Sequence, residues 1–517
     1  MKDAAANHDG CEQMPDRRRY CERAAVSEPL AASAPAPTSG QGVRVMQNTF
    51  VVLIARLLAL PIAGAANLIL ARYLGVEKFG QYGAIYAYLG LFGWLASLGL
   101  APILAREAAQ KREQAGSLIF TGVCIAAGFS VATAALALVI APLVHLGGKL
   151  FPLLAIGSVE VFLLVPIALP GVIFQVDLRQ WYNSGFSVVR QALMFAFALA
   201  IYWAGAPLLY VVLARLAAAG VEAGLNWRTA HRFLESPRKF LSPISMRLIR
   251  GGFIITLSVI AASVYARIDQ VMLHSMVGDL KLGQYAAAVR LSEMFEALPA
   301  AFVSSLFPLL CISVIDPERF REHLDIGYRY MVLAAAGISV VVCAGAPTII
   351  RVLYGQQYSA SAPLLAVLIW SEMAIFFGTM LGNGLLSAGL QKYGLLPMIA
   401  GALVNVGLNI FLIPRRGAMG ATWATVISYW MCWTVAFMPF KATRDILWTG
   451  LRLLVPITVV GLAVTGAVFL LPVNDWVRMV IAGVGFALLT TTTGLARKGD
   501  LHFIHTAWRT RLGLRAT

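Results

Sequence analysis

The sequence predicts an all-α polytopic membrane protein of about fourteen transmembrane helices, arranged as two parallel six-helix lobes followed by two extra C-terminal helices. Three observations carry this reading. Apolar runs of roughly 20 residues, enough to cross a hydrocarbon core about 30 Å thick, recur from Asn48 to Leu495. Charged residues make up only 13% of the 517-residue chain and apolar ones 59%. A short motif also recurs half a chain apart: Gly75-Val76-Glu77-Lys78-Phe79-Gly80-Gln81-Tyr82 and Gly278-Asp279-Leu280-Lys281-Leu282-Gly283-Gln284-Tyr285. A spanning β-barrel would need segments of about 10 residues alternating in polarity, and stretches such as Val332 to Val342 do not alternate.

Residues 1–42 are rich in Ala, Pro and Ser, with an Arg17-Arg18-Arg19 cluster and no signal-peptide pattern, and predict a disordered cytoplasmic tail. The first lobe, 43–227, holds spans near 48–70, 80–104, 117–144, 151–174, 186–205 and 207–226. A basic cytoplasmic loop, 228–250, leads to the second lobe, 251–440, with spans near 251–277, 284–312, 328–350, 362–388, 393–413 and 419–440. Two further spans, 451–471 and 477–495, lie within 441–496, and 497–517 is a basic cytoplasmic tail. Most Lys and Arg fall on the side that carries the 228–250 loop, which places both termini in the cytoplasm; the pair Arg415-Arg416 in an outer connection runs against the rule. The two motif copies are separated by six spans, an even number. They therefore lie on one side of the membrane, and the halves share one orientation.

The net charge of +16 is spread among connectors rather than gathered with aromatics on a soluble domain, so topology explains it and nucleic acid does not. The six cysteines lie in the tail or inside apolar runs without metal-ligand spacing and read as packing thiols. No Gly-x-x-x-x-Gly-Lys-Ser/Thr loop occurs and no metal-binding cluster stands on one helix, so neither cofactor nor metal is expected. The longest internal loop, about Trp227 to Arg250, is too short to hold the catalytic domain of a membrane polymerase or glycosyltransferase.

At the motif copies the chain resembles the polysaccharide (O-antigen translocase-like) flippases of the multidrug/oligosaccharidyl-lipid/polysaccharide exporter superfamily. The residues that carry the resemblance are Ala71-Arg72-Tyr73-Leu74-Gly75 with Phe79-Gly80-Gln81-Tyr82, then Leu98-Gly99-Leu100-Ala101-Pro102 with Ala105-Arg106-Glu107. Asn409 to Pro414, continuing through Gly417-Ala418-Met419-Gly420-Ala421, is similar to the family's eleventh-to-twelfth-span connection. The resemblance covers about residues 44–495. It implies a transporter, not an enzyme, that moves polyprenyl-pyrophosphate-linked oligosaccharide units from the inner to the outer leaflet of a bacterial inner membrane for exopolysaccharide or O-antigen synthesis. Membrane lipid, a polysaccharide polymerase and a chain-length regulator would be its partners. A peptidoglycan lipid-precursor flippase and a small-molecule cation antiporter of the same superfamily are the alternatives.

A sugar bearing two phosphates cannot cross hydrocarbon unaided, because an ionised group in lipid costs at least several kcal/mol. A hydrated cationic cavity would lower that barrier, and Arg suits phosphate because its planar fork stays charged and donates two parallel hydrogen bonds. The expected substrate-binding residues are Arg56, Asn67, Arg267 and Arg290. Thr49, Arg56, Ala63 and Asn67 fall near one helix face. Arg267 occupies the corresponding span of the second lobe. Arg290, three residues before Glu293, has a local ion pair as its competing role, and Arg215 reads as an interfacial, snorkelling cation. Ion coupling to protons or sodium would need a carboxylate whose occupancy changes with conformation; Asp269 and Glu372 are the expected groups, with buried structural acids as the competing reading.

Overall fold

The computed structural model describes residues 39–234 and 239–497, and all their regular structure is helical. In lipid a backbone N–H or C=O has no water to bond, and a helix satisfies each within its own segment. In chain order the helices are α1 (Ser39–Ser97), α2 (Leu100–Gln110), α3 (Ala115–Ile140), α4 (Phe151–Gly157), α5 (Val159–Ala168), α6 (Val172–Val176), α7 (Trp181–Ala204), α8 (Leu208–Phe233) and α9 (Ser242–Val277). They continue as α10 (Asp279–Glu293), α11 (Ala297–Ser313), α12 (Pro317–Leu353), α13 (Ser361–Leu368), α14 (Ser371–Ser387), α15 (Leu395–Arg416), α16 (Ala418–Trp433), α17 (Arg444–Phe469) and α18 (Asp475–Thr492).

Among the described residues nine helices are long and apolar enough to cross a membrane, or ten if the bent pair Asp279–Val303 and Leu306–Ser313 is one span. The expected count of about fourteen is therefore not reproduced, for identifiable reasons. Leu58–Gln110 runs on through two expected spans. The expected span 284–312 is bent, and α9 and α18, which hold the expected spans 251–277 and 477–495, are not among the nine. At 16 residues, α16 falls short of a full crossing.

The repeated motif begins with a backbone turn that only glycine adopts without strain. Gly75 has φ 72° and ψ 174°, and Gly278 has φ 87° and ψ 175°. The Gly75 turn breaks α1 into two helical segments, and the Gly278 turn joins α9 to α10. The central glycines of the motifs then meet: a methyl on Gly80 would lie 2.0 Å from the Asp279 carbonyl oxygen, and one on Gly283 would lie 1.9 Å from that of Val76. The contact is reciprocal, since Asp279 stands to Val76 as Gly283 stands to Gly80. Two related halves joined through the same surface produce such reciprocity, and small residues allow backbones this close in a bundle.

The halves also touch at both ends of their seam. Beside the glycine turns, Arg72 Nε donates to the Leu353 carbonyl at 2.7 Å, and a second nitrogen of the same guanidinium donates to that of Val352. There too, Tyr358 donates to the Ala71 carbonyl at 2.9 Å and Ser275 to that of Val144 at 3.0 Å. At the other end Arg247 pairs with Glu107 at 3.0 Å, and the Leu241 N–H donates to Thr121 Oγ1 at 2.9 Å. A methyl on Gly252 would lie 2.3 Å from the Leu98 carbonyl oxygen. Leu98 itself has φ 49° beside Gly99 at 54°, which makes the α1–α2 junction a left-handed turn. The last two helices, α17 and α18, pack on α12 around Tyr328, Phe377, Leu447 and Phe486.

Candidate functional site

A cavity of about 540 Å³ lies between the seam's two ends. One face of α1, running through Tyr82, Tyr86, Gly90, Gly93, Trp94 and Ser97, lines it. Tyr82, Tyr86, Gly90, Gly93 and Ser97 recur every three or four positions, with Trp94 next to Gly93, so they lie on one stripe of the helix. Four arginines reach the cavity: Arg190 from α7, Arg215 from α8, Arg267 from α9 and Arg290 from α10. Of the acids, Glu160 of α5 lines it. A methyl on Gly90 would lie 3.0 Å from Arg267 Cδ, so the glycine leaves room for that side chain to lie against α1.

The four arginines are half-buried, where a counter-charge lowers the cost of partial desolvation, and three of them have one within a hydrogen-bond length. Arg190 Nε is 3.0 Å from Glu222, Arg215 Nε is 2.7 Å from Glu160, and Arg290 is 2.9 Å from Glu293. Arg215 also donates to the Tyr82 hydroxyl at 3.1 Å and lies over the Tyr86 ring, 4.0 Å from its centroid. The Tyr86 hydroxyl is buried and has no hydrogen-bond partner among the described residues.

Of the expected substrate-binding residues, Asn67, Arg267 and Arg290 line this cavity. Asn67 donates to the Ala63 carbonyl of its own helix at 2.9 Å, which leaves its carbonyl oxygen for other donors. The Arg56 side chain lies outside the described residues. Arg290 makes the local ion pair weighed against substrate binding, with Glu293, and also lines the cavity. The interfacial reading of Arg215 is corrected: the side chain reaches the cavity and is held there by Glu160 and Tyr82. Sequence reading passed over Arg190, although an arginine ten residues into an apolar helix was the available signal. Nothing in the chain's order pointed to Glu160, which lies 55 residues from its partner.

The two carboxylates expected to couple ions lie off the cavity wall, inside the second half. Asp269 is 3% exposed and accepts from Tyr285, from Thr425 Oγ1 at 3.2 Å and from the Gln270 N–H at 2.7 Å. Two residues from Arg267, it faces another side of α9, as helical geometry requires. Glu372 is 1% exposed; one oxygen accepts from Ser292 at 2.6 Å and the other has no partner among the described residues.

The acids Glu160 and Glu372 hold corresponding places. Each is the second residue of the helix that follows a break in the chain's path, α5 after α4 and α14 after α13. The positive end of a helix favours a carboxylate in its first turn. In the first half that carboxylate meets an arginine; in the second it meets a serine.

With this geometry in place, comparison with known proteins assigns the chain. The polysaccharide biosynthesis protein family matches residues 45–313. An uncharacterized membrane protein of Methanocaldococcus jannaschii is 24% identical over 148 residues, 26% of this chain and 29% of the relative. The probable flippase AglR of Haloferax volcanii is 28% identical over 171 residues, 32% of this chain and 35% of the relative. The chain thus spans about a third of the length of these curated relatives. In three dimensions it is similar to the lipid II flippase MurJ in an inward-closed conformation, with TM-score 0.69 and 13% identity over 86% of this chain and 98% of that one. It is also similar to an inward-facing multidrug resistance MATE transporter, with TM-score 0.63 and 16% identity over 76% of this chain and 96% of the other. The chain is a multi-pass membrane protein that belongs to the polysaccharide biosynthesis protein family, on the fold that MurJ and the MATE transporters share.

Proposed function

We propose that the protein is a flippase that carries a polyprenyl-pyrophosphate-linked oligosaccharide from the inner to the outer leaflet of a bacterial inner membrane, by alternating access and with both termini in the cytoplasm. The observation that carries this reading is the convergence of Arg190, Arg215, Arg267 and Arg290 on one cavity between the two ends of the seam. Diphosphate is the group such a set suits: it brings two or more negative charges and oxygens spaced for bidentate guanidinium donors. Arg267 is central to the reading, because among the described residues it is the cavity arginine with no carboxylate within 4.0 Å. A cavity built for a cationic drug would carry the opposite charge. Trp94, half-exposed on the same wall, offers an apolar face on which a sugar ring can rest.

Energy would come from an ion gradient, from consumption of the flipped product outside, or from both. Asp269 and Glu372 are the proposed coupling groups, since a carboxylate held by neutral hydroxyls changes charge when it gains or loses a proton or sodium. The experiment is translocation of a fluorescent polyprenyl-pyrophosphate oligosaccharide in vesicles, run beside the peptidoglycan lipid precursor. Preference for the oligosaccharide lipid supports this reading, preference for the peptidoglycan precursor replaces it with that alternative, and transport of neither overturns it.

A further inference from the structure

The cavity arginines differ in where their counter-charges stand. Glu222 and Glu293, which pair with Arg190 and Arg290, do not line the cavity, so an anion inside it can approach those guanidinium groups while their pairs stay intact. Glu160 does line it. Its carboxylate therefore holds the position against Arg215 that an incoming phosphate oxygen would take.

On the reading that the cavity receives a diphosphate, we propose that Glu160 is a built-in surrogate for the substrate anion: it neutralises Arg215 in the empty carrier and is displaced from Arg215 when the diphosphate binds. Two features fit a displaceable partner. Arg215 keeps two contacts independent of Glu160, the Tyr82 hydroxyl at 3.1 Å and the Tyr86 ring at 4.0 Å, so it stays in place when the carboxylate leaves. The acid at the corresponding place of the second half, Glu372, is bound by Ser292, so the fold does not itself demand an arginine there.

The consequence for the cycle is specific. An empty carrier with a bare cation in a low-dielectric cavity would be held where water or anions reach it, because closing over an unpaired charge is costly. Pairing with Glu160 removes Arg215's share of that penalty, leaving Arg267 as the cavity arginine among the described residues with no carboxylate within 4.0 Å, and so eases the return of the unloaded protein. The substrate in turn must outcompete a tethered carboxylate, so Glu160 weakens binding while speeding the return.

Two measurements on the full chain in lipid nanodiscs and vesicles test this. Calorimetric titration with inorganic pyrophosphate should give Glu160→Gln an affinity roughly tenfold or more above the parent, with Glu160→Asp, whose shorter arm loosens the pair, between them. In vesicles, Glu160→Gln should keep exchange of labelled for unlabelled polyprenyl-pyrophosphate oligosaccharide while losing most net transport. If Glu160→Gln does not fold, Glu160→Asp decides by the same two readouts. Equal or weaker pyrophosphate binding by the variants, with the parent binding normally, overturns the surrogate role and leaves the flippase reading standing. Absence of pyrophosphate binding by both the parent and Glu160→Gln overturns both.

Discussion

Gly80 and Gly283 occupy the same place in two copies of one motif, and each is packed against the backbone at the start of the other's helix. A side chain on either would overlap a carbonyl oxygen, at 2.0 Å from Asp279 for Gly80 and 1.9 Å from Val76 for Gly283. The seam beside the cavity is therefore set by backbone, with no flexible side chain to give way.

Gly80→Ala and Gly283→Ala should each destabilise the protein by about 1 to 3 kcal/mol, the usual cost of overpacking. Gly83→Ala is the internal control, because a methyl there would meet Ala286 Cβ at an ordinary 3.6 Å. Thermal unfolding in detergent should rank both interface variants well below Gly83→Ala. Three equal melting temperatures would contradict the interface geometry.

Arg267→Ala should abolish complementation of a flippase-deficient strain at normal membrane levels. An anionic head would lose a partner worth about 1.5 to 3 kcal/mol, and Lys, a point charge without the fork, should rescue only partly. Full complementation by the Ala variant would remove Arg267 from the site.

The Arg72 clamp on the Val352 and Leu353 carbonyls must release whenever that end of the seam opens. Arg72→Ala should thus shift the population toward conformers open at that end. Spin labels at Lys149 and Gln356, exposed positions on the two halves, can report it in a background cleared of native cysteines. The distance distribution should lengthen in Arg72→Ala; an unchanged distribution would show that the clamp does not bias the equilibrium.

Asp269→Asn and Glu372→Gln should blunt the response of lipid-linked oligosaccharide transport to imposed proton or sodium gradients. Coupling is reciprocal, typically about 1 to 3 kcal/mol, so either variant should also lose the effect of the ion on pyrophosphate affinity. Retention of the full gradient dependence in both variants would leave these residues as buried structural acids.

The sequence by itself determined the solvent, the secondary structure and the repeat. Long apolar runs leave a backbone no choice but helix in lipid, and the paired motifs announced two related halves. It also marked Arg267 and Arg290 as cavity groups, because a charge at membrane depth must face protein or water. Tertiary structure decided what depends on partners remote in the chain. Gly80 could be read as part of a repeat, but only packing reveals that it meets Asp279. Arg215 looked interfacial until α5 brought Glu160 to within 2.7 Å. Asp269 shares a helix with Arg267 yet turns to Tyr285 and Thr425, and Glu372 turns to Ser292 rather than to a cation. Local pattern fixes the face a residue occupies along one helix, whereas the charge it meets is supplied by whichever neighbouring helix the fold places against that face.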